Sequence, residues 1–204
     1  EIMPSLVGSE MCIRDRRYID FDFEATILAA RSIDPSTGEL ATWFCEPIGT
    51  RHREGRLVES WQPAPLPEAA MDNARSIAAR IVGAMASCGI FSVEMFVSGD
   101  DVYFSQVTPR PSRDGLVTFV TQRINQFDLQ ARATQRLPID STLISPGAVR
   151  FLEGHPSQAA LAAAMAVEEV TVRMLGDGTL VLATADSAAE ARQPVSYTHL
   201  TLPT

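Results

Sequence analysis

Two short segments hold the side chains best suited to chemistry. Glu94 stands inside the apolar run IFSVEMFV, and Gln106 and Thr108 stand near the end of the next run, VYFSQVT, beyond Ser98-Gly99-Asp100-Asp101. If the two runs are adjacent antiparallel strands of matching parity, these oxygen-bearing side chains share one face a few ångströms apart, as the holding of a hard cation requires. A bare carboxylate in an apolar strand is costly, so Glu94 must be solvated on an edge strand, paired or coordinating. Arg110 lies between Pro109 and Pro111 just past the second run. Held on so stiff a loop, its guanidinium can present a fork to a phosphate or carboxylate at little ordering entropy, or make a surface ion pair. Arg51, His52 and Arg53 form a second basic cluster in GTRHREG, which a solvated turn explains equally well.

The elements that must position these groups are legible from periodicity. Tyr18 to Ala30 alternates and carries aromatic and β-branched residues, which predicts a strand, with a second around Thr42 to Pro47. Ile48 to Pro65 is rich in charge, glycine and proline and is expected to be an ordered surface loop. In Ala69 to Ser87 the apolar residues Met71, Ala74, Ile77, Ala78, Ile81, Val82 and Met85 fall at three- and four-residue steps, the stripe of an amphipathic helix. Ile90 to Val97 and Val102 to Val107 then form a hairpin, followed by the proline-stiffened TPRPSRDG. A helix is expected from Phe127 to Arg136, a short one from Pro156 to Met165, and strands near Ala148 to Phe151, Glu169 to Leu175 and Thr179 to Ala183.

Composition narrows the classes. The 204 residues are 46% hydrophobic and 21% charged, enough for a core without disulfides or metals. A net charge of −8 supplies no global positive field for nucleic acid or an anionic membrane, and no apolar run reaches the roughly 18 to 20 residues of a membrane span. All 17 basic residues are arginine, so lysine-dependent chemistry cannot be complete here. Cys45 and Cys88 stand far apart without a Cys/His cluster, which predicts reduced thiols, no zinc site and a cytoplasmic protein. Residues 1–16 (EIMPSLVGSEMCIRDR) and 193–204, which hold PVSYTHLTLPT, resemble translated sequencing-adapter sequence and are expected to be non-native tails.

The stretches FDFE (Phe21 to Glu24), PIGTRHREGRLVESWQP (Pro47 to Pro63) and SVEMFVSGDDVYFSQVTPRPSRDGLVT (Ser92 to Thr118) resemble the formate-dependent phosphoribosylglycinamide formyltransferases, ATP-grasp enzymes of purine biosynthesis. The resemblance runs from Arg17 to Arg192, dense to Thr118 and thin beyond. It implies an α+β fold: residues 17–137 as the C-terminal lobe of an ATP-grasp domain and 138–192 as a small β-rich domain. It also implies that the chain is the C-terminal portion of a longer protein. That protein would use ATP and Mg²⁺ to convert formate to formyl phosphate, which the amine of glycinamide ribonucleotide then attacks.

By the same resemblance Glu94, Gln106 and Thr108 would hold the metal and Arg110 would bind the acyl phosphate or γ-phosphate, while Arg51, Arg113 and Asp114 would face the ribonucleotide. Partners are these small molecules, with no nucleic acid or membrane, and a homodimer is left open. The chain departs from the family in three places. Gln106 stands for a carboxylate, Ser112-Arg113-Asp114-Gly115 stands for His-Asp-Thr-Gly, and the turn at Gly176-Asp177-Gly178 replaces a loop with a lysine and two arginines. The alternative reading is therefore a non-catalytic or substrate-diverged paralogue that binds a ligand or partner. The 204-residue chain alone is expected to turn over no substrate.

Overall fold

The computed structural model describes residues 19–176 and 178–197. Tail residues 1–16, Cys12, His199 and Asp177 lie outside the described residues. The class is α+β, as expected. Nine strands form one antiparallel sheet: β1 (Phe23–Ile33), β2 (Leu40–Phe44), β3 (Ile48–Arg53), β4 (Arg56–Gln62), β5 (Gly89–Ser98), β6 (Asp101–Thr108), β7 (Gly147–Glu153), β8 (Val170–Leu175) and β9 (Gly178–Thr184). Their order is β6-β5-β1-β3-β4-β7-β9-β8, and β2 pairs with the second half of β1. Segments on both sides of Leu137 therefore share one sheet, joined where β4 pairs with β7.

Helix α1 (Glu68–Gly83) buries Ala70, Ala74, Ala78 and Val82, four residues apart each time. Small side chains at that spacing let the helix lie close on the sheet face that carries Ile27, Ala29, Phe91, Val93 and Met95. Helix α3 (Gln126–Thr134) starts at Asn125, whose side chain accepts from the backbone N–H of Phe127 and Asp128. Together with the 3-10 turn Asp114–Val117, α3 covers the opposite face through Leu129, Leu116 and Val117, packed on Leu28, Ala30 and Ile90. Strand β1 is thus covered on both sides, which explains its nearly continuous apolar middle.

Two sequence expectations are corrected. The segment Ile48 to Pro65 is not a loop, because most of it forms the β3–β4 hairpin. Glu54 and Gly55 both adopt positive φ (52° and 75°), as a two-residue hairpin turn demands, and the charged tip hid the alternation of the strands. The stretch after Arg113 is not wholly loop: it coils into the 3-10 turn and α2 (Thr118–Thr121). Helix α5 (Ala188–Tyr197) runs through Pro194, and Val195 is buried among Ala148, Ala183 and Ala191. Helix α4 (Gln158–Met165) follows the expected span, capped by Ser157.

Candidate active site

The sheet face under α3 changes character along its strands. On β1 the residues Ala30, Leu28, Thr26 and Glu24 succeed one another on that face, and on β5 their register partners are Ile90, Ser92, Glu94 and Phe96. The apolar end lies under α3 and the 3-10 turn; the polar end emerges where that cover stops. Glu94 therefore sits half-buried at the rim of the core, as a residue that is neither packed nor freely solvated.

Gln106 faces Glu94 across the β5–β6 ladder, and its amide Nε2 donates to Glu94 Oε2 at 2.7 Å. A register shift follows at once, since Met95 pairs with Phe104 and leaves Ser105 unpaired. This bulge lets the two polar side chains meet while β6 continues as an edge strand. Thr108 is on the same face one rung away, opposite Ser92. From the other side, Thr26 donates its hydroxyl to Asp114 Oδ2 at 2.9 Å, in a fully buried contact. Next to them, on β3, His52 pairs through Nδ1 with Glu24.

The charge of Asp114 acts on Glu94, and that of Glu24 on both. Burial pushes both carboxyls above the ordinary carboxylate range; their hydrogen bonds from Thr26 and Gln106 oppose the shift, and nearby acidic charge adds to it. A carboxyl whose folded-state value is raised binds its proton more tightly in the native state. Its contribution is therefore favourable below the ordinary value of 3.8 and is lost as pH rises through the raised value. Asp114→Asn, which keeps an acceptor for Thr26, is expected to raise the urea midpoint at pH 7 and to flatten the fall of stability above pH 3.8. A lower midpoint at pH 7 would contradict that assignment.

The loop that delivers Asp114 is held by a residue the sequence reading did not single out. Gln126 is fully buried, its Oε1 accepts from Ser112 N at 3.0 Å, and its Nε2 donates to Ser112 O at 2.8 Å. A Cβ on Gly115 would stand 2.2 Å from Gln126 Oε1, so only glycine admits this clamp. The polar residue at the start of α3 was the available signal, hidden by its ordinary place in a helix first turn. The sheet supplies a further tie, because Ser60 on β4 donates its hydroxyl to Asp114 O.

The three arginines named from the sequence do not converge on Glu94. Arg110 is exposed, and its Nη1 donates to Pro111 O at 3.0 Å, so it does not cap the Glu94–Gln106 pair. Arg113 is exposed and lies over the Phe151 ring, 5.4 Å from its centroid. Arg51 points to the opposite sheet face, where it pairs with buried Glu59 at 2.8 Å. Glu94, Gln106 and Asp114 are brought together; Thr26 and Glu24 join them without having been foreseen, and His52, named as part of a basic cluster, pairs with Glu24.

Two cavities adjoin this cluster. One of ≈ 10 Å³ lies among Glu24, Thr26, Thr50, His52, Glu94 and Ser105. The other, an open cleft of ≈ 340 Å³, is lined by Phe21, Asp22, Glu24, Thr50, His52 and Trp61 among others. Among the described residues no three His, Cys, Asp or Glu side chains are close enough to enclose a metal ion. The Glu94 carboxylate suits a Mg²⁺ ion that brings phosphates and water as its remaining ligands, and the Gln106 amide oxygen would join it only on giving up the bond to Glu94. Cys45 is no nucleophile here: burial pushes its thiol up to about 11. No described helix is long and apolar enough to cross a membrane.

A family model described as the ATP-grasp domain matches residues 6–127. A formate-dependent phosphoribosylglycinamide formyltransferase of Corynebacterium jeikeium is 52% identical over 191 residues, covering 87% of this chain and 46% of the relative. The enzyme of that name from Paraburkholderia xenovorans is 42% identical over 188 residues, covering 86% of this chain and 46% of its own. The chain thus spans about half the length of the relatives it matches. Among solved structures, glycinamide-RNase-transformylase T from Mycobacterium tuberculosis superposes with a TM-score of 0.83 at 41% identity, over 92% of this chain and 57% of that one. An N5-carboxyaminoimidazole ribonucleotide synthetase from Thermus thermophilus follows the same fold, with a TM-score of 0.76 at 26% identity over 92% and 53%. With the sheet, the carboxylate cluster at its polar end and a matched segment of this extent, the chain belongs to the ATP-grasp family.

Proposed function

We propose that the complete polypeptide carrying this segment transfers a formyl group from formate to the amine of glycinamide ribonucleotide at the expense of ATP, in the cytoplasm. The observation that carries the reading is the cluster of Glu94, Gln106 and Asp114 at the polar end of the sheet face, in a chain 52% identical to a formyltransferase of that name. In this reading a formate oxygen attacks the γ-phosphorus, the new O–P bond forms and ADP leaves. The ribonucleotide amine then attacks the formyl carbon, the C–O bond breaks, and inorganic phosphate departs with the oxygen that came from formate.

The chain's own residues divide this work. Glu94, with Gln106 and Thr108 beside it, would hold the Mg²⁺ that accompanies ATP; when bound, that ion neutralises charge on the phosphates. Asp114, kept in place by Thr26, Ser60 and the Gln126 clamp on its loop, faces the amine and accepts its proton, a role suited to a carboxyl raised above the usual range. Arg110 on its exposed loop, and Arg113 and Arg51 further off, would reach anionic groups of the substrates only by swinging out of their present contacts.

The test follows the oxygen. With ¹⁸O-formate, ATP and glycinamide ribonucleotide, the complete polypeptide is expected to release phosphate that contains one ¹⁸O per formyl group transferred. Phosphate without label would contradict the formyl phosphate route. The 204-residue chain alone is expected to give no formate-dependent ADP, and detectable turnover by it would overturn that expectation.

A further inference from the structure

Every carboxylate at the polar end of this face already has a partner inside the protein. Glu24 is paired with His52, Asp114 accepts from Thr26, and Glu94 accepts from Gln106. The cavity between Glu24, His52 and Glu94 is ≈ 10 Å³, about one water-sized sphere. Mg²⁺ gives up its hydration shell reluctantly and keeps several waters, so a hydrated ion has no room there. An ionised carboxylate only accepts hydrogen bonds, so the Gln106 amide must turn its N–H toward Glu94 and its oxygen away. In that orientation Gln106 takes up one of the two oxygens that a cation needs and offers it a donor instead of an acceptor.

We infer that Gln106 is a lock on Glu94: while its amide donates to that carboxylate, the chain alone does not hold a divalent ion at this place. The inference rests on the reading of Glu94 as the metal-facing group, and the experiment separates the two. Restoring a carboxylate by Gln106→Glu both removes the amide donor and adds a negative ligand. Gln106→Ala removes the donor alone and covers the case in which two adjacent carboxylates disturb folding.

The probe is Mn²⁺ added alone to the 204-residue chain, read by loss of its free electron paramagnetic resonance signal and by the thermal shift it produces. The unchanged chain is expected to show no saturable binding up to about 1 mM. Gln106→Glu is expected to bind at least about tenfold more tightly and to gain stability on addition of the ion, with Gln106→Ala between them. Binding by the unchanged chain as tight as that of Gln106→Glu would overturn the lock, and so would the absence of binding in both variants. If Glu94→Gln added to Gln106→Glu leaves the new binding intact, the metal sits elsewhere and the assignment of Glu94 itself fails.

Discussion

Replacing Glu59 by alanine is expected to cost the fold about 2–4 kcal/mol, far more than loss of any surface ion pair, because it strands two guanidiniums that converge on one buried carboxylate. Glu59 is 1% exposed. Arg192 of α5 donates Nε to its Oε1 at 3.0 Å and Nη2 to its Oε2 at 3.2 Å, and Arg51 of β3 reaches Oε2 at 2.8 Å. The Arg192 guanidinium also lies 3.8 Å from the centroid of the Trp61 ring. Both arginines are partly solvated, with side chains 49% and 35% exposed, which lets water recover part of the loss and keeps the figure below that for a fully enclosed triad.

A control within the same molecule sharpens this expectation. Arg56 and Glu153 pair across β4 and β7, with side chains 72% and 76% exposed. Glu153→Ala is expected to change stability by less than about 0.5 kcal/mol. Urea unfolding of the two variants side by side checks the contrast, and equal losses would contradict it. The effect reaches the site through Trp61, whose ring packs so closely on Gly49 that a Cβ there would stand 2.3 Å from it. Gly49 precedes Thr50, which lines both cavities at the polar end of the sheet.

The hairpin was readable from the chain because two apolar runs joined by a tight turn leave little freedom of register. That register alone would set Glu94 opposite Ser105; the bulge that leaves Ser105 unpaired, which no local pattern announces, brings Gln106 into that place. Asp114 was named, but the contact that matters, with Thr26 across 88 positions of sequence, depends on a sheet order no local pattern carries. The arginines misled for a related reason. A guanidinium on a long stem takes the nearest acceptor, and for Arg110 that is the carbonyl of the following residue, for Arg51 a carboxylate on the far face. Proline at Pro109 and Pro111 fixes the backbone there without fixing where the side chain points. Likewise β3 and β4 were hidden because the charged tip Arg51–Arg56 outweighed the alternation in LVESW, whose Glu59 reads as a surface residue until two arginines are seen around it.

The assignment of Glu94 as the carboxylate that meets the nucleotide's metal is tested most directly by Glu94→Gln in the complete polypeptide, with formate-dependent ADP release and thermal stability measured on the same sample. Because burial already penalises the charge of Glu94, its removal should leave stability unchanged or raised. The kcat/KM for ADP release should fall by roughly 10³-fold, about 4 kcal/mol of transition-state stabilisation. Activity within about threefold of the unchanged enzyme, in a protein of undiminished stability, would mean that the nucleotide's metal is held by some other group.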